Sequence, residues 1–166
     1  ALTKQLEKGD FVPSGYEVSF GKGKIDRIDI YETEDRVYVK VIDYKTGTKT
    51  FSLASLYHGL QLQLAMYMNM AVELERRKQP EKKVVPAGLF YYQMKDPIID
   101  KVEEDKWEET VLSKLRLDGI VNANEEVINH LDREFSGNSL AIPVGKNKNG
   151  SLSKTSKAFS EEEFSI

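Results

Sequence analysis

The run from Arg36 to Lys45, Arg-Val-Tyr-Val-Lys-Val-Ile-Asp-Tyr-Lys, constrains the fold more than any other part of the chain. Val37, Val39 and Val41 stand two residues apart, the period of a strand with one face against a core. β-Branched and aromatic residues dominate the run, and Thr46-Gly47 ends it. Asp43 falls on the same face as the three valines. A carboxylate that closes an apolar face lies at the margin of the core, where it needs a partner or a metal. Lys45, two residues further on, leaves the same face, so an acid and an ammonium stand side by side.

A second stretch, Gly23-Lys24-Ile25-Asp26-Arg27-Ile28-Asp29, reads as the preceding strand, with Asp26 seventeen residues before Asp43. A turn at Glu32-Thr33-Glu34-Asp35 folds it back onto Arg36–Lys45 and brings Asp26 beside Asp43. Paired carboxylates hold a hard divalent cation, which generates a hydroxide nucleophile and neutralises phosphate charge. A lysine beside them adds a positive charge next to a scissile phosphate. The constellation points to metal-dependent phosphodiester hydrolysis. The plainer alternative is a strand end with ordinary surface charges on an antiparallel hairpin.

The remaining pattern supplies a framework. Tyr16–Phe20, Lys24–Tyr31 and Val84–Gln93 read as strands, the last apolar on both faces and therefore central in its sheet. Ser52 is an N-cap for the longest helical pattern, Leu53 to Lys78. Leu56, Leu60, Gln63, Tyr67, Met70 and Leu74 form one face of it. Gln63 interrupts that stripe, so its amide requires partners, in a helix–helix contact or at a polar site; Tyr67 lies one turn on and reaches the same place. Glu103–Leu115 and Asn124–Phe135 read as two amphipathic helices, and Ser139–Val144 as a short strand. Residues 145–156 read as an exposed hairpin or mobile loop. Residues 1–8 resemble the tail of a helix, and Ser160-Glu161-Glu162-Glu163 the start of another. The expected class is α/β, a mixed β-sheet flanked by helices, in a single domain over residues 1–166.

Composition removes several alternatives. Net charge is −3, so there is no global basic signature, although a local basic cleft remains compatible with it. The chain has no cysteine, which excludes a disulfide scaffold, a thiolate zinc site and a cysteine-ligated cluster within it, and fits a reducing, cytoplasmic setting. No apolar run reaches membrane-spanning length. Gly21-Lys22-Gly23-Lys24 and Gly145-Lys146 lack the spacing of a phosphate loop. His58 and His130 lie far apart in sequence, without the spacing of a metal pair.

Gly23-x-Ile25-Asp26, Asp43-x-Lys45 with Thr46-Gly47, and Gln63-x-x-x-Tyr67 together resemble the RecB-type nuclease branch of the PD-(D/E)XK superfamily. Val85-Pro86-Ala87-Gly88-Leu89-Phe90-Tyr91-Tyr92 with Asp96-Pro97-Ile98 narrows the likeness to the AddB/RexB family. Leu115–Val121 and the segments Gly150-Ser151-Leu152-Ser153 and Glu161-Glu162-Glu163-Phe164 are similar to the same proteins. The resemblance implies a restriction-endonuclease-like core. It further implies that the chain is part of the C-terminal nuclease domain of a helicase–nuclease that processes double-strand DNA breaks for recombinational repair, alongside an AddA-type subunit. By position it makes Asp26 and Asp43 ligands of Mg²⁺ or Mn²⁺, completed by the Tyr44 backbone carbonyl. Lys45 becomes the catalytic lysine, and Gln63 and Tyr67 an auxiliary pair near metal and DNA backbone. Glu17 is the candidate for the family's upstream assisting acid, and Asp29 takes a supporting role, facing away from Asp26. The family also carries an iron–sulfur cluster, whose cysteines this chain lacks, so the sequence reads as a fragment ending before them. Two rival functions keep the same fold: a non-catalytic DNA-binding or scaffolding module of that complex, and another RecB-like exonuclease of Cas4 or phage type.

Overall fold

The computed structural model describes residues 7–21, 23–45, 61–93, 118–133, 135–139, 141–154, 156 and 158–160. Six strands form one mixed sheet whose spatial order follows the chain. β1 (Val12–Phe20), β2 (Gly23–Glu32) and β3 (Arg36–Lys45) are an antiparallel meander. The β2–β3 turn is closed by Thr33, whose N–H donates to the Arg36 carbonyl (2.9 Å) and whose hydroxyl accepts the Arg36 N–H (3.0 Å). β4 (Lys83–Gln93) lies parallel to β3, an arrangement that requires a long crossover, and α1 (Gln61–Lys78) provides it. β5 (Asp118–Asn122) pairs antiparallel with β4, leaving β4 interior, as its two apolar faces predict. Asn124 caps α2 (Glu125–Leu131) by accepting the Glu126 N–H, and β6 (Ala158–Phe159) closes the sheet parallel to β5.

Two features of β4 and β5 follow from single residues. Pro86 has no N–H to give, and the β3–β4 register slips by one residue beside it, so that Val39 faces Pro86 and Lys40 faces Gly88. Gly119 has φ +143°, and a Cβ there would lie 1.9 Å from the Leu89 carbonyl oxygen, so only glycine lets β5 approach β4 at that point.

The sheet separates two cores. On one face Ile28, Ile30, Val37, Val39 and Val41 pack against Met68, Ala71 and Val72 of α1. On the other, Tyr38, Ile42, Phe90 and Val121 pack against Val127, Ile128 and Leu131 of α2 and against Ala141, Ile142 and Val144. The segment before β1 is fastened to the end of α2. The Asp10 N–H donates to the His130 carbonyl (2.7 Å), and the Asp10 carboxylate meets His130 Nδ1 (2.9 Å) and Arg133 Nη1 (3.0 Å). Burial opposes ionisation of Asp10, but the hydrogen bonds from His130 and Arg133 outweigh it and hold its carboxyl below the usual range.

Several expectations are corrected. The buried positions of α1 are Tyr67, Met68, Ala71, Val72 and Glu75, while Met70 and Leu74 lie at the margin. The stripe of Tyr67, Met70 and Leu74 is therefore not the centre of the packed face. The true centre is interrupted by Glu75, a charge that disguises it. Glu75 is held there by the Ser14 hydroxyl of β1 (2.6 Å) and by Lys78 Nζ (3.4 Å). The helix expected to reach Phe135 ends at Leu131. Asp132 turns its carboxylate inward to accept the Ser139 hydroxyl (2.7 Å), which leaves the helical path. Ser139–Val144 is a loop organised by the Ser139 oxygen, which accepts the Ala141 and Ile142 N–H groups, rather than a strand. Of the two alternatives for residues 145–156, the described part has the hairpin form, with Lys146 bridged antiparallel to Leu152 and the Asn147 N–H bonded to the Ser151 carbonyl (2.7 Å). The short strands β5 and β6 carry no alternating pattern that announces them. Of the helix tail expected at residues 1–8, residues 7 and 8 form a turn and the rest lies outside the described residues, as do the start of the long helix over 53–60, the helix Glu103–Leu115 and the helix after Ser160.

The corrected helix face is testable. Met68 is buried between α1 and the sheet, and Met66 is 56% exposed. Met68→Ala should cost about 2–5 kcal/mol in urea denaturation, and Met66→Ala should stay within about 0.5 kcal/mol. Equal costs would place the helix in a different rotation.

Candidate active site

β2 and β3 do not stay together to their ends. Their ladder stops at the pair Arg27–Ile42. Beyond it, β2 continues alongside β1 through Ile25, Lys24 and Gly23, while β3 continues alongside β4 through Asp43, Tyr44 and Lys45. The sheet forks there, and Asp26 and Asp43 are the first residues on its two prongs.

The side-chain alternation of β2 also breaks at this point. Ile28 and Ile30 face α1, and so does Ile25, although it is separated from Ile28 by an odd number of residues. Opposite the break, Glu17 of β1 has φ +48°, an irregular conformation for a non-glycine residue. The break releases the Asp26 side chain from the alternating pattern and turns it across the fork. Its Oδ2 accepts the Tyr44 N–H at 2.9 Å, taking the place of a ladder bond. The Asp26 carboxylate thus sits against the peptide unit that joins Asp43 to Tyr44.

Asp43 is buried on the face of Val37, Val39 and Val41, beneath α1. The same helix brings Tyr67 to this face, where its ring meets Phe20 edge-on, with centroids 5.4 Å apart. Gln63 lies one turn earlier on α1. Lys45 ends β3, paired in register with Gln93. The side chains of Lys45 and Gln63 lie outside the described residues. Glu17 neighbours Asp26 across the β1–β2 pair, since its neighbours Tyr16 and Val18 face Arg27 and Ile25. Its carboxylate is exposed and turned to Lys24 Nζ at 3.5 Å. Among the described residues no three acidic, histidine or cysteine side chains gather into a metal-binding group.

The donors at the fork suit a hard divalent cation. The groups available there are the carboxylate of Asp26, the buried carboxylate of Asp43 and the backbone between Asp43 and Lys45, all of them oxygen donors. The all-oxygen set excludes nothing that Mg²⁺ or Mn²⁺ needs, and the absence of cysteine leaves no thiolate for a softer ion or an iron–sulfur cluster within this chain.

Asp29 faces away from this site, on the far side of the sheet. Its Oδ1 accepts from Arg27 Nε at 2.7 Å, and its Oδ2 lies 3.5 Å from Lys40 Nζ, its direct partner across the β2–β3 ladder. All three side chains are largely or wholly buried. Burial pulls the Lys40 ammonium down to about 8, a fall that Asp29 limits and Arg27 reinforces. Sequence pattern missed this cluster because Lys40 and Arg27 look like ordinary outward charges on strands.

Residues 1–145 match the PD-(D/E)XK nuclease superfamily. The chain is 42% identical, over 98% of its length, to a Lachnoclostridium phytofermentans protein named as a subunit of an ATP-dependent helicase/deoxyribonuclease. Proteins of the same name from a Thermoanaerobacter species and from Alkaliphilus metalliredigens are 33% and 35% identical over 99% and 98% of this chain. The chain spans 16% of the length of each of these curated relatives.

Lys40 predicts a pH dependence. Its folded-state value of about 8 lies below its ordinary 10.5, so between these values the unfolded chain holds a proton that the folded chain has released. Stability contributed by this group therefore rises with pH across that window and is flat below it. Wild type should gain stability relative to Lys40→Met from pH 8 to pH 10.5 in denaturant titrations at constant ionic strength. A difference that does not change with pH would contradict the burial of this charge.

Proposed function

This chain belongs to the PD-(D/E)XK nuclease superfamily, and on that basis we propose that it is a metal-dependent deoxyribonuclease domain, acting as an exonuclease. Its setting in this reading is an ATP-dependent helicase–nuclease of the cytoplasm that processes double-strand DNA breaks for recombinational repair, in company with an AddA-type subunit. The observation that carries the reading is the fork between β2 and β3, where Asp26 reaches across to the peptide following Asp43. The Asp26 carboxylate thereby reaches the backbone between Asp43 and Lys45, so two acids from different strands and a lysine lie within a few residues of the fork.

In this reading Asp26, Asp43 and the Tyr44 carbonyl hold Mg²⁺ or Mn²⁺. Such a cation, when bound, acidifies water and offsets phosphate charge. The residues of the chain do the rest. Lys45 orients the attacking water and stabilises the charge that builds on the phosphate oxygens. Tyr67, on the helix above the site, and Gln63, one turn before it, contact the DNA backbone. Contacts of this kind go to phosphates, so cleavage has no sequence preference and weakens with salt. The retained Asp26, Asp43 and Lys45 favour catalysis over a purely DNA-binding role, because binding alone requires none of them.

The test is made in the intact helicase–nuclease. Lys45→Ala and Asp43→Asn should abolish the cleavage assigned to this subunit while DNA unwinding continues. Near-normal cleavage of both strands by either variant would refute the assignment. Gln63→Leu should weaken cleavage with less than about 1 kcal/mol change in stability, because a residue bordering a wet site loses contacts to substrate rather than to the core.

A further inference from the structure

Three charged side chains are buried on the far face of the sheet, directly behind the fork. Relative exposures are 13% for Arg27, 1% for Asp29 and 3% for Lys40. Removing ions from water is costly even when they are paired. Apolar residues fill the neighbouring positions of the same face, including Tyr38, Ile42 and Phe90, so packing alone does not call for charges here. The cluster is also incompletely bonded. Asp29 Oδ2 is buried without a hydrogen-bond donor, and Lys40 compensates it only through charge at 3.5 Å. Lys40 and Arg27 lean on aromatic faces, with Lys40 Nζ 5.0 Å from the Phe11 ring and the Arg27 guanidinium 5.3 Å from the Tyr16 ring.

The position of Arg27 explains the cluster. It follows Asp26 in sequence and occupies the last rung of the β2–β3 ladder, opposite Ile42, which precedes Asp43. Its guanidinium, anchored by Asp29, leaves the same face as Tyr44, which follows the opposing Ile42 by two residues, and lies within polar reach of that side chain. Tyr44 is therefore held twice across the fork: its N–H by Asp26 on β2, its ring by Arg27 of the same strand. The β4 ladder holds Tyr44 from one side, and the two ties add restraint from the β2 side, one on its N–H and one on its side chain, flanking the Cα that carries the Tyr44 carbonyl and lying next to Asp43.

We propose that Arg27, backed by Asp29 and Lys40, is a positioning residue that orients the Asp43–Tyr44 peptide from the far face of the sheet and so sets the affinity of the carboxylate site for its divalent cation. The proposal rests on the metal-site reading given above. Groups that orient ligands without touching the ion alter affinity by about 10–100-fold when changed.

The test uses the full-length protein that contains this domain, free of nucleotide and titrated with Mn²⁺, with unbound Mn²⁺ followed by its electron paramagnetic resonance signal. The uptake lost in Asp43→Asn defines the site. Arg27→Lys keeps the charge but loses the planar fork, and Tyr44→Phe removes one hydroxyl from a half-buried ring. Each should raise the dissociation constant of that site about tenfold, with the protease resistance of the domain unchanged. The double variant should be no worse than the weaker single variant, because both break one tie. Unchanged Mn²⁺ affinity in Tyr44→Phe and Arg27→Lys, with Asp43→Asn still deficient, would overturn the positioning role and leave the metal site standing. Affinity lost only together with protease resistance would also overturn it, since a purely structural cluster behaves that way. If Asp43→Asn binds Mn²⁺ as wild type does, the metal-site reading itself falls.

Discussion

The hydrogen bond from the Tyr44 N–H to Asp26 Oδ2 spans the place where β2 and β3 part. Up to Arg27 and Ile42 the two strands are joined by backbone bonds, and each residue sits where strand geometry puts it. Past that rung the backbone has no partner across the gap, and a buried N–H without an acceptor costs free energy. A carboxylate supplies the acceptor. The same substitution of side chain for backbone that satisfies Tyr44 also delivers an acid to the doorstep of Asp43. The fork is at once a structural problem and the origin of the candidate site.

The rest of the architecture keeps the fork open and aligned. β1 holds one prong and β4 the other, so neither strand end is left at an edge. The irregular Glu17 opposite Asp26 marks where β2 changes its alternation. Above the sheet, α1 covers Asp43 with a face whose centre contains Glu75, tied to β1 through Ser14. Below it, Arg27, Asp29 and Lys40 form an ion cluster that reaches the Tyr44 ring. Buried charges are poor sources of net stability but strong sources of geometric definition when each must face its counter-charge. The clustering of three of them on the last rungs before the fork fits that use.

The family relationship and the geometry support one another from different directions. The nuclease superfamily match covers most of the chain, and the curated relatives carry helicase/deoxyribonuclease in their names. Those relatives are far longer than this chain, which spans 16% of their length. What this stretch contributes on its own chemistry is two carboxylates brought to a fork in the sheet, the basis of the metal-site proposal. No helix among the described residues is long and apolar enough to cross a membrane.

Sequence alone determined the strands that carry the motif. The valines of β3 alternate, and its ends at Arg36 and Lys45 coincide with the structure because Thr33–Asp35 and Thr46-Gly47 are strong turn signals. The two apolar faces of β4 announced its interior place. Asp26 and Asp43 were legible as a pair because a short turn must return one strand along the other. Tertiary structure decided what local pattern could not carry. The packed face of α1 is rotated from the apolar stripe, and its buried Glu75 is satisfied by Ser14, brought to it from distant β1, together with Lys78 one turn along the same helix. β5 is a strand because β4 offers it an edge and Gly119 lets the backbones approach, and β6 because β5 in turn offers an edge, not because of their own alternation. The break at Asp26 and the burial of Lys40 likewise depend on partners distant in sequence. Periodicity reports which residues a regular element exposes, whereas a kinked strand and a compensated buried charge exist only once neighbouring strands are in place.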